Sequence, residues 1–207
     1  MISAATPESG KFLIENLLNT DRRSVSGDLK LYTERTHPCP QEVELILTSQ
    51  DFMKDLLEEN GYHTLFSCRQ FLYTEKAPLT VPHKDIRQLK EESFSYICKN
   101  YDMGQAEYVR ERILAGAMYG AFSEDHLVGF IGIHSEGSLG MLYVEEAYRR
   151  QGIASSLEAY LVNRMLEQGF TPFTQVKEKN EESLQLQEKL GFYRASNLFW
   201  WLEKGER

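Results

Sequence analysis

The stretch Met141–Leu161, MLYVEEAYRRQGIASSLEAYL, changes character halfway along, and the rest of the chain is best read outward from it. Met141 to Val144 is a short apolar run of the kind that forms a buried strand. From Ile153 onward, Ile153, Leu157, Tyr160 and Leu161 fall on one stripe at helical spacing. RRQGIA lies at the join. A strand that turns at a glycine into a helix leaves several backbone N–H groups without intrahelical partners at the positive end of the helix dipole, a setting that suits an anion. Gly152 lets the chain approach a bulky phosphate without a Cβ in the way, Ala154 keeps the first turn slim, and Arg149, Arg150 and Gln151 add side-chain donors. The join therefore reads as a pyrophosphate cradle; the plainer reading is a tight strand-to-helix turn with surface arginines. The lysine of a P-loop and the three glycines of a dinucleotide fingerprint are absent.

Upstream of the join, YGAFSEDHLVGFIGIHSEGSLGMLYV alternates apolar runs with SEDH and SEGS, whose polar and glycine chemistry suits hairpin turns, so an antiparallel three-stranded meander is expected. DIRQL before it reads as a short strand, and KEESFSYICKNY and GQAEYVRERILAGA as two helices. Downstream, the helix from Ile153 to Gln168 ends at Gly169, PFTQVKE is a strand, EESLQLQEKL a helix and FYRASNLFWWLEK a final strand. Nearer the start, TPESGKFLIENLLNT has helical spacing, VELILTS is a strand, Asp51–Asn60 a helix stopped by Gly61, and YHTLFSCRQFLYT a strand. EKAPLTVPHKD, with two prolines and several charges, reads as a linker. The boundary is placed near residue 77, giving an amino-terminal α/β region, 1–77, and a second domain, 78–207. Residues 43–72 and 173–202 also lie over each other without a gap at an offset of 130, Gly61 meeting Gly191 and Leu72 meeting Leu202. Either the first region is a reduced copy of the second half, or any strand, helix and strand joined at a glycine would align this well.

The chain has 207 residues, 42% of them hydrophobic and 26% charged, which matches ordinary globular usage and excludes a disulfide scaffold. A net charge of −8 argues against a phosphate-backbone partner and makes cationic small molecules the better candidates. Cys39, Cys68 and Cys98 are odd in number and lack metal spacing, and the five histidines are scattered, so no metal is expected. HExxH, GxSxG and the P-loop pattern do not occur. MISAATPESGK lacks the features of a signal peptide and no apolar run has membrane-spanning length, which places the chain in the cytoplasm, with no membrane partner.

RRQGIA resembles the [Q/R]xxGx[G/A] loop of the GNAT superfamily of N-acetyltransferases, matched at Arg149, Gly152 and Ala154. The resemblance extends over residues 84–203 through the order of elements, the strand, loop and helix of LYVEEAYRRQGIASSLEAYLV, and the later Asn180 and LGF. It implies an α/β fold with a mixed, mostly antiparallel central sheet flanked by helices, and acetyl-CoA as cosubstrate. The cofactor would lie against the backbone of Leu142, Tyr143 and Val144 and the amides from Arg150 through Gln151, Gly152, Ile153 and Ala154 to Ser155. Its pantetheine arm would lie like an added strand in a V-shaped gap between the strand ending at Val144 and FTQVKE. Asn180 corresponds to an asparagine that meets the cofactor arm, and it also suits a helix N-cap.

The implied chemistry is amine acylation, in which a neutral amine attacks a thioester, a base takes its proton and a thiolate leaves. Glu136, and after it His134, are the candidate bases, set in IHSEGSLGM where many family members carry an acidic residue for deprotonation. Many relatives have a tyrosine seven positions after the asparagine; here that position is Gln187, which cannot donate a proton as a phenol does, leaving Tyr193 as the candidate acid. A thiol of pKa about 8.5 can also leave without one. Two classes of function follow: an acetyltransferase acting on a primary amine of a small molecule, an amino acid or a protein, as a monomer or homodimer, or a non-catalytic acyl-CoA-binding module.

Overall fold

The computed structural model describes residues 45–101 and 106–205. The helix expected in TPESGKFLIENLLNT, and Cys39, lie outside the described residues. In chain order the elements are β1 (Leu45–Thr48), α1 (Asp51–Glu59), β2 (Tyr62–Leu72), β3 (Ile86–Gln88), α2 (Phe94–Asn100), α3 (Ala106–Leu114), β4 (Met118–Ser123), β5 (His126–Ile133), β6 (Leu139–Val144), α4 (Ile153–Glu167), β7 (Phe173–Lys177), α5 (Glu181–Lys189) and β8 (Tyr193–Lys204). The strands form a mixed eight-stranded sheet in the order β1-β8-β2-β7-β6-β5-β4-β3. The pairs β1–β8, β3–β4, β4–β5 and β5–β6 are antiparallel, whereas β6–β7 is parallel. This is the mixed, mostly antiparallel α/β arrangement that the resemblance implied, and β4–β6 are the meander expected from the alternating runs. Among the described residues, no helix is long and apolar enough to cross a membrane.

The chain divides into two compact units. The first gathers the described residues through Arg69 with Lys177–Lys179 and the chain from Ser196 onward. In it Met53, Leu56 and Leu57 of α1, one helical face, bury against Ile46, Tyr62 and Leu202. A second small cluster joins Leu47, Cys68 and Phe199, and burial pushes the Cys68 thiol up to about 12, marking it as an inert core group.

The second unit comprises Gln70–Val176 and Asn180–Ala195. Its meander is covered on both faces. Ile153, Leu157, Leu161, Val162 and Met165 of α4 pack on Val128, Ile131, Leu139 and Val144. On the other face Ile97 of α2 and Val109 and Ile113 of α3 pack on Met118, Phe130 and Met141. Each of the α4 side chains contributes about 2 kcal/mol by burial. The segment between β2 and β3 has no regular structure and is strapped to α4. Asn163 pairs with both backbone groups of Leu79, at 2.7 and 2.9 Å, and Ser156 Oγ accepts the His83 N–H at 3.1 Å.

The 130-residue offset holds for both ends of the helices Asp51–Glu59 and Glu181–Lys189. Each is followed by a glycine at positive φ, Gly61 at +86° and Gly191 at +80°. The glycine N–H bonds the Glu58 carbonyl in one case and the Glu188 carbonyl in the other. Shared helix-ending chemistry accounts for this part of the match.

Candidate active site

Strands β6 and β7 run parallel but share only one registered pair, Leu139 with Thr174, reinforced by a Thr174 Oγ1 bond to the Leu139 carbonyl at 2.8 Å. Beyond that vertex they diverge. On the other side of β6 the register with β5 shifts between Phe130 and Gly132, so that Met141 and Leu142 face Ile131 alone; Met141 adopts φ +52°. Such a bulge disrupts the ladder locally and re-aims backbone groups, and bulges recur beside active sites. Neither the splay nor the bulge leaves a trace in the apolar letters LGMLYV.

Beside the end of β6 lies a cleft of about 470 Å³. One wall is Leu142, Tyr143 and Val144 of β6; the end is the loop and first turn of α4, with Tyr148, Arg149, Arg150, Gly152, Ile153, Ala154 and Ser155; the far wall is Asn180 with Glu182, Ser183, Gln185, Leu186 and Lys189. Thus every residue expected to hold the cofactor lines one cavity except Gln151, whose side-chain amide bonds the Ala147 carbonyl at 3.1 Å. Tyr148, Ser183 and Lys189 were not singled out from the sequence.

The loop is held open by its backbone. Arg149 Nε donates to the Val144 carbonyl at 3.0 Å, tying the loop to the strand end. Arg150 and Gly152 both have positive φ, +62° and +81°. A Cβ on Gly152 would meet nothing within 4 Å, so in this structure the glycine is required by its left-handed conformation rather than by close approach. The first intrahelical bond of α4 is Ser156 N to Gly152 O, and no side chain caps the helix. The N–H groups of Ile153, Ala154 and Ser155 therefore face the cleft without an intrahelical partner, as an anion requires. By contrast α5 is capped, Asn180 Oδ1 accepting the Ser183 N–H at 3.2 Å. The donors at the α4 end fit the phosphates of a coenzyme A.

The catalytic candidates lie outside the lining of the cleft. Glu136, exposed in the turn between β5 and β6, accepts from Ser138 Oγ at 2.6 Å, and Ser138 sits next to the vertex residue Leu139. His134 stacks on Tyr108 of α3 with ring centroids 6.0 Å apart, and its Nδ1 lies 2.8 Å from the Tyr108 hydroxyl. That hydroxyl also accepts the Ser135 N–H at 3.2 Å. Burial holds the imidazole below its usual range, the Glu136 carboxylate pulling the other way and Arg112 adding to the depression. Tyr193, at the start of β8, is 62% exposed and does not line the cleft. Gln187 is buried on α5 near the carboxyl of Glu158. Among the described residues no group of three or more His, Cys, Asp or Glu is placed to hold a metal ion.

A strand splayed from its neighbour beside a bulge, feeding an uncapped helix through an arginine- and glycine-containing loop, defines an acyl-CoA transferase architecture. The chain belongs to the GNAT acetyltransferase family, whose sequence model matches residues 83–192, more than half of the 207 residues. Among solved structures, a Drosophila protein matches with a TM-score of 0.60 at 19% identity, over 72% of this chain and 55% of its own. A GNAT-family acetyltransferase from Colwellia psychrerythraea matches with a TM-score of 0.57 at 18% identity, over 79% of this chain and 66% of its own. The chain spans between about half and two thirds of the length of these structures, and at such identities the likeness is one of fold. No curated protein matches the chain.

Proposed function

We propose that the protein transfers the acetyl group of acetyl-CoA to a primary amine of a small molecule, an amino acid or a protein. The observation that carries this reading is the single cleft shared by Leu142–Val144, the first turn of α4 and Asn180. When bound, the cosubstrate supplies the thioester. Ile153, Ala154 and Ser155 hold its phosphates through backbone N–H groups, with Arg149 and Arg150 adding charge. Leu142, Tyr143 and Val144 orient the arm, and the bulge at Met141 aims backbone at the vertex, where the acyl group would lie. Glu136 takes a proton from the acceptor ammonium, so that the neutral amine can attack the thioester, and Ser138 keeps the carboxylate turned toward the start of β6. No side chain is needed to protonate the leaving thiolate, consistent with Tyr193 standing outside the cleft. The division into a region 1–77 and a GNAT domain 78–207 is part of the same proposal.

The test has two parts. Coenzyme A should raise the melting temperature of the wild type through mass action on the folded state, and Gly152→Asp should abolish the shift. Gly152→Ala, which carries the same conformational strain of about 1–2 kcal/mol without the charge, should keep part of it. Release of free thiol from acetyl-CoA should then depend on an amine in a panel. Binding without turnover across that panel would instead favour a non-catalytic acyl-CoA-binding module.

A further inference from the structure

Helices α4 and α5 line two sides of the cleft, its end and its far wall, with Ile153 to Ser155 on the first and Ser183, Leu186 and Lys189 on the second. Behind those walls lie polar groups that the proposed chemistry does not use. Glu158 on α4 and Gln187 on α5 are each 2% exposed. Gln187 lies near enough to the Glu158 carboxyl to act on its charge, yet Glu158 Oε2 and Gln187 Oε1 are both left without a partner. The pair is one proton short. A carboxylate only accepts, and an amide N–H can serve only one of these oxygens. Leaving a buried acceptor unsatisfied is costly. A proton on Glu158 Oε2 resolves both orphans, because a carboxylic acid and a carboxamide pair reciprocally, N–H to carboxyl oxygen and O–H to amide oxygen.

We propose that neutral Glu158 and Gln187 form an acid–amide clip that fixes the spacing of the two cleft walls, so that Glu158 is a positioning residue for acetyl-CoA and its ionisation loosens the cleft. The inference rests on the reading of the cleft as an acetyl-CoA site. Complete burial pushes the Glu158 carboxyl up to about 7, Gln187 opposing that rise, and no charged group contributes. On α4, Arg164 lies over the rings of Tyr119 and Tyr160, and Glu167 is exposed. On α5, Glu181, Glu182, Glu188 and Lys189 are exposed, Glu182 pairing with Arg150 and Glu188 with Arg194. Strands β4, β5 and β6, packed against α4, bring only Tyr119, His126 and Tyr143 as titratable groups.

The sign follows from linkage. A carboxyl whose pKa is raised on folding contributes stability that is fully present below its ordinary value of 4.5, falls as pH rises, and is lost above about 7. Melting temperatures of the ligand-free protein from pH 4 to 9 should therefore fall for the wild type relative to Glu158→Gln between those values. The double variant Glu158→Met, Gln187→Leu, which removes both polar partners, should be as flat as Glu158→Gln. Calorimetric titration with coenzyme A should show wild-type affinity weakening above pH 7 by up to about tenfold per pH unit relative to Glu158→Gln, a comparison that cancels the titration of the cofactor's own phosphates. Parallel melting profiles in wild type and variants would overturn the pairing. Divergent melting profiles with parallel coenzyme A profiles would overturn its link to the cleft. A wild type that binds no coenzyme A at any pH would remove the cofactor reading instead, and the melting profiles would still decide the clip.

Discussion

Two side-chain oxygens meet at 2.6 Å where the β5–β6 turn ends, Ser138 Oγ donating to Glu136 Oε1. Ser138 is buried, so the glutamate is held at one end while its second oxygen stays open to solvent. If that oxygen takes the ammonium proton, Glu136→Gln should lower turnover by about 10²-fold and leave coenzyme A affinity unchanged. Near-normal turnover in steady-state assays would place the base elsewhere. The β4–β5 turn offers a test of stability alone. Glu124 and Asp125 both have positive φ, 48° and 65°, as a two-residue turn of the primed type demands, and neither is the residue that turn prefers. Asp125 at least pairs with Arg87 at 2.9 Å. Glu124→Gly should therefore stabilise the protein by roughly 0.5–1 kcal/mol in urea titrations, with no change in activity.

Helix α4 connects the loop to the core and also holds the strap. Asn163 satisfies both backbone groups of Leu79 with one side chain, as a paired strand would. Asn163→Ala should cost about 1–3 kcal/mol and make the Pro78–His83 segment the first site of limited proteolysis, whereas an unchanged cleavage pattern would show that Ser156 suffices. What could be read in advance also differs by element. The bounds of α4 and α5 and the order of strands were legible because glycines and apolar spacing act locally, and RRQGIA marked the loop because its glycine must take a left-handed turn. The bulge was not, since a methionine at positive φ in LGMLYV looks like any apolar residue. Nor was the Glu158–Gln187 pair, since on a helical wheel each reads as a surface position until the fold brings them together. His134 was chosen by chain position, and only the Tyr108 contact shows which of its nitrogens is engaged.

The final strand belongs to both compact units, its first residues to one and the chain from Ser196 to the other. Within the first unit Leu202 is buried with Ile46 and Leu57, and Phe199 with Leu47 and Cys68. A fragment starting at Pro78 retains Phe199 and Leu202 but loses every one of those partners. It should aggregate, bind a hydrophobic dye and elute as large species in size-exclusion chromatography; a monodisperse fragment with full acetyl transfer would show the amino-terminal region to be dispensable. A net charge of −8 further predicts that turnover with a cationic amine weakens as salt rises, more than with a neutral-bodied amine of the same size.

The single registered pair between β6 and β7 has a consequence for exchange with heavy water. The Glu145 N–H points to the Val128 carbonyl on β5, so by strand alternation the Val144 N–H points the other way, toward the diverging β7. An amide in the middle of a sheet is thus left to solvent as if it stood at the rim. In the empty protein the amides of Leu142 and Val144 should take up deuterium far faster than that of Phe130 on the same sheet, and coenzyme A should slow them selectively. The arriving molecule would then act as a missing strand, closing from within a ladder that the polypeptide leaves unfinished.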